Sequence, residues 1–157
     1  QYNADSSENP EDIPGAAVYV NSDDNPEQAM ETSGDATSGV YTGYFAEARI
    51  ERDRARSRQK EELRSLVESG DTNSAAALEA QEKLMDVINR SELETTIETL
   101  IKQSGFADAL VYISDNDYID VIVNANSLSE QQVAIISDIV VRHAQVPMEN
   151  ITVKNVN

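Results

Sequence analysis

The sequence predicts an α+β fold: a two-layer α-β-β-α-β domain with a three-stranded sheet, preceded by an extra charged helix and a disordered acidic leader. Three observations predict it. From Leu93 onward the apolar periodicity changes between helical and strand spacing in the order helix, strand, strand, helix, strand. Residues 44–70 mix both charges at helical spacing, and residues 1–43 hold nine acidic side chains with no Lys or Arg. The 157-residue chain therefore divides into a spacer (1–43), a charged helix (44–70) and a folded domain (71–157).

The leader contains Asp5, Glu8, Glu11, Asp12, Asp23, Asp24, Glu27, Glu31 and Asp35, together with three of the four prolines. It has little to bury, so ordering its backbone, at roughly 1–2 kcal/mol per residue, would not be offset. Disorder is the expectation. From Tyr44 to about Ser69, Phe45, Ala48, Arg52, Ala55, Gln59, Leu63 and Leu66 recur at helical spacing, but this stripe is thin in apolar members. The interleaved charges read as a solvated face, with Arg49 to Asp53, Arg58 to Glu62 and Arg64 to Glu68 each adding a few tenths of a kcal/mol as helical pairs. Such a helix projects from the domain or packs lightly along it, and Gly70 with Asp71 ends it.

A second helix starts near Thr72 to Ser74, where short polar side chains cap the first free amides, and Ala75, Ala76 and Ala77 favour it strongly. Leu78, Met85 and Ile88 mark one stripe, then Leu93, Ile97, Leu100 and Ile101 another. Asn89, Arg90 and Ser91 between them leave open one helix or two. Gly105 supplies the stop. Ala109 to Ser114 and Tyr118 to Asn124 are rich in β-branched and aromatic residues around Asp115-Asn116-Asp117, which predicts an antiparallel hairpin. Ser129 and Gln132 form a capping box for a helix that turns Val133, Ile136 and Val140 to the sheet, with Pro147 beyond its end. Ile151 to Val156 is the last strand.

Two helices on one face of such a sheet leave its other face, or an edge, available. Tyr112 and Tyr118 flank the hairpin turn, and Asp120 and Ile122 point away from Val121 and Val123. These four residues, Tyr112, Tyr118, Asp120 and Ile122, are the candidate partner interface, since amphipathic aromatics beside a sheet edge suit protein contacts; the equal alternative is that they only cover the open sheet face. An exposed edge here would also accept another strand.

Chemistry is not evident. His143, the single histidine, lies at helical spacing from Ile136 and Val140 and reads as a partly packed structural residue, with no Ser or Cys to serve as a base for. Asp115, Asp117 and Asp120 lack the glycine and terminal glutamate of a twelve-residue calcium loop and read as turn chemistry. Gly39 and Gly43 have GxxxG spacing in a polar stretch, without the apolar helix that would give it meaning. The absence of cysteine excludes disulfides, thiolate metal sites and thiol nucleophiles. No cofactor, metal or enzymatic activity is expected. The leader takes −9 of the net charge of −17 and leaves −8 on residues 44–157, the wrong sign for nucleic acid. A small KH-like nucleic-acid-binding domain, the alternative with a similar mix of strands and helices, would also need a GxxG backbone clamp, which is missing. No apolar run exceeds six residues, far short of the roughly 20 that span a bilayer. The start at Gln1 instead of Met points to a targeting segment upstream. A domain of this kind works through its surfaces, binding a partner or assembling with itself.

The run Tyr44-Phe-Ala-Glu-Ala-Arg-Ile-Glu-Arg-Asp-Arg-Ala-Arg-Ser and the run Leu93-Glu-Thr-Thr-Ile-Glu-Thr-Leu-Ile-Lys-Gln-Ser-Gly-Phe-Ala-Asp-Ala-Leu-Val resemble the stage III sporulation protein AH family of endospore-forming bacteria, over residues 44–157. The resemblance implies a ring-building-type domain like those of flagellar and type III secretion systems. It further implies an N-terminal membrane helix in the mother-cell (outer forespore) membrane, with the soluble domain in the intermembrane space. There the family binds stage II sporulation protein Q, self-associates, and forms part of a secretion-like channel.

Overall fold

A computed structural model describes residues 36–70 and 73–157. The expected disordered spacer lies outside the described residues up to position 35. Helix α1 spans Ala36–Ser69, α2 Ala75–Gln103, β1 Ala109–Ile113, β2 Ile119–Asn124, α3 Glu130–Ala144 and β3 Ile151–Val156, with one 3-10 turn at Met148–Asn150. The α+β architecture is the one the periodicity predicts. One boundary differs, since α1 begins at Ala36, upstream of Tyr44; of the two courses left open for the second helix, α2 takes the unbroken one through Asn89, Arg90 and Ser91.

Local chemistry places the ends. Ser74 Oγ accepts from the Ala77 amide at 3.2 Å to start α2, and Gly105, at φ 114°, turns the chain after it. At α3 the capping box is complete: Ser129 Oγ accepts from the Gln132 amide at 3.1 Å, and Gln132 Oε1 accepts from the Ser129 amide at 2.9 Å. Gln145 ends α3 in the left-handed conformation ahead of Pro147.

The sheet order is β1-β2-β3, with β1 and β2 antiparallel and β2 and β3 parallel. Alternation sends Val111, Ile113, Ile119, Val121 and Val123 to the inner face, where they meet Ile97 and Ile101 of α2 and Ile136 and Val140 of α3. This is the main core, and no residue of α1 belongs to it. A second cluster of Leu63, Ala80 and Val87, with Val67 and Leu84 against it, joins α1 to the N-terminal half of α2. Alanines at 77 and 80, both buried, let the two helices approach there.

The hairpin turn closes with the Ser114 amide donating to the Tyr118 carbonyl at 2.9 Å and the Asp117 amide to the Ser114 carbonyl at 3.2 Å. Asp117 sits at φ 60°, where a side chain costs about 1 kcal/mol or somewhat more relative to glycine. Asp117→Gly is expected to raise stability by about 0.5–1 kcal/mol in urea denaturation without changing the fold; a loss of stability would mean that the aspartate side chain holds the turn by a contact of its own.

Candidate interaction surfaces

An edge strand leaves every second residue's N–H and C=O pointing outward, and in β1 these belong to Ala109, Val111 and Ile113. All three are taken by side chains. Glu98 Oε1 accepts from the Val111 amide at 2.9 Å, Glu94 Oε1 from the Ile113 amide at 2.8 Å, and Asp108 Oδ1 from the Ala109 amide at 2.8 Å. The carbonyls are matched by arginines of α1. Arg49 donates to the Ala109 carbonyl at 2.6 Å, Arg52 to the Val111 carbonyl at 2.7 Å and Arg56 to the Ile113 carbonyl at 3.3 Å. Each guanidinium also pairs with the carboxylate of its own rung: Arg49 with Asp108, Arg52 with Glu98, Arg56 with Glu94. Longer pairs, Arg49 to Glu98 at 3.8 Å and Arg52 to Glu94 at 3.9 Å, tie one rung to the next.

The rungs lie deep. Arg52 is 9% exposed, Glu94 1% and Glu98 5%. Burying ions is favourable only when the remaining donors and acceptors are also filled, and the planar fork of arginine reaches a carboxylate and a carbonyl together, as a lysine point charge does not. Among the described residues no buried side-chain nitrogen or oxygen lacks a partner. Burial pushes the Glu94 carboxyl above its ordinary range, against the Ile113 amide and the guanidiniums of Arg56 and Arg52. Burial pushes Asp108 the same way, but the bonds from Arg49 and from the Ala109 amide outweigh it and hold that carboxyl below the usual range.

The ladder overturns two sequence expectations. Arg49, Arg52 and Arg56 are not part of a solvated face; their partners lie on α2 and beside β1. Nor is the edge of Ala109–Asn124 open to another strand, because β1 is sealed and β2 is central. Neither Arg58 to Glu62 nor Arg64 to Glu68 is an ion pair. The signal available in sequence was spacing: Arg49, Arg52 and Arg56 continue the seam from Phe45 toward Leu63, while Glu94 and Glu98 stand next to Leu93 and Ile97.

The four candidate interface residues separate. Tyr112 and Asp120 are register partners, and Leu110 pairs with Ile122, so Tyr112, Asp120 and Ile122 share the outer face. Tyr112 is half-buried under α1, its hydroxyl donating to the Ala48 carbonyl at 3.4 Å and its ring lying 5.9 Å from the Arg52 guanidinium. Asp120 is exposed and Ile122 half-buried. Tyr118, at the turn, is 57% exposed. Thr152 and Lys154 of β3 continue this face, exposed beside Asp120 and Ile122. His143 is exposed in the last turn of α3, past the buried stripe that ends at Val140, so the expected partial packing is not found. Asp115 is paired with Arg90 of α2. Among the described residues no three His, Asp or Glu side chains gather as a metal site, and no helix is long and apolar enough to cross a membrane.

Comparison with known proteins bears on the family and the fold. The family model described as SpoIIIAH-like protein matches residues 2–153. Stage III sporulation protein AH of Bacillus subtilis (strain 168) is 30% identical over 115 residues, which is 73% of this chain and 52% of that protein. The chain thus spans about half the length of this curated relative. A chain in the solved structure of the SpoIIQ-SpoIIIAH pore forming complex is 31% identical with a TM-score of 0.63, the match covering 71% of this chain and 96% of that one.

Removing one partner of a buried ion pair strands the other, at about 3–5 kcal/mol. Arg52→Ala is therefore expected to lower the unfolding free energy by about that amount in urea melts; a loss below 1 kcal/mol would show that the rung is dispensable. The carboxyls titrate apart. Asp108 contributes stability above the ordinary aspartate range and loses it as pH falls through its depressed folded value, whereas protonation of Glu94 on acidification favours the folded state. Carboxyl carbon NMR should place the Glu94 midpoint above, and the Asp108 midpoint below, those of ordinary exposed residues of the same type; the reverse order would refute the assignment.

Proposed function

The chain belongs to the SpoIIIAH-like protein family, and from that premise we propose that it is a non-enzymatic interaction module of a sporulation complex, binding SpoIIQ across the space between the mother-cell and forespore membranes. What supports this most is the likeness, at 31% identity, to a chain of the SpoIIQ-SpoIIIAH pore forming complex. The acidic leader would act as the tether between a membrane anchor and the folded part, and rings would arise by self-association of the domain.

The contact surface falls where the backbone and side chains are not already committed. β1 is closed by its ladder, and Tyr112 acts by holding α1 over the outer face. That leaves Tyr118, Asp120 and Ile122, continued by Thr152 and Lys154 of β3, as the patch that meets the partner. An exposed tyrosine at the turn and a half-buried isoleucine on β2 supply apolar contact among polar neighbours, the composition of a moderate protein interface.

Isothermal calorimetry against the soluble domain of SpoIIQ should give saturable binding in the micromolar range or tighter. Tyr118→Ala or Ile122→Asp should weaken it by about tenfold or more, which is 1.4 kcal/mol. Absence of binding at high micromolar concentration under several salt conditions would overturn the partner, and unchanged affinity in both variants would move the interface elsewhere.

A further inference from the structure

We draw no further inference here: the strongest candidate, the outer edge of β3, a strand that pairs with β2 alone, carries nothing because nothing in the structure shows what covers it.

Discussion

The closure of one sheet edge by side chains is the constraint on which the rest of this molecule depends. Residues two apart in a strand are separated by about 6.6 Å, and residues four apart in a helix rise about 6 Å. That near-match lets Glu94 and Glu98, on consecutive turns of α2, meet the amides of Ile113 and Val111 in step. The arginines advance by three and then four residues along α1 to meet successive carbonyls. Two helices and a strand are thereby locked in register, α1 running with β1 and α2 against it. A shift of α1 by one residue would turn each guanidinium through about 100° and empty all three rungs.

This arrangement changes how the charge of the chain is understood. The basic concentration in residues 49–64 looks in sequence like an exposed stripe, yet three of its arginines are spent between helix and strand. Each takes a carboxylate in with it, so the net charge left to the surface is the one the sequence carries. A net charge of −8 on residues 44–157, with three arginines of the basic run turned inward, disfavours a polyanion.

What was legible in the sequence was whatever local chemistry decides. The hairpin around Asp115-Asn116-Asp117, the Ser129 and Gln132 capping box, the Ser74 cap and the Gly105 stop depend on a few neighbouring residues, and they stand where periodicity and turn residues put them. What was not legible depends on two helices facing each other. An arginine at helical spacing reads as solvated until the opposing helix is known to supply Glu94 and Glu98. The same blindness affected Tyr112, read as flanking the hairpin turn without the helix that covers it. The polar stretch Asn89-Arg90-Ser91 left one helix or two open; α2 continues through it, with Arg90 paired to Asp115 at the hairpin turn. His143 shares the stripe of Val140, but the stripe ends one turn before it.

The orientation of α1 also sets how the fold bears load. The helix enters from Ala36, reaches the first rung at Arg49 and goes on past Arg56 to its anchor at Leu63. Tension applied along the helix axis from its N-terminal end is shared by all three rungs in parallel, the geometry in which hydrogen-bonded ladders resist shear. The same tension applied sideways meets Arg49 alone, then Arg52, then Arg56, and peels the helix one rung at a time. A chain pulled from that end is therefore stiff in one direction and yielding in the other.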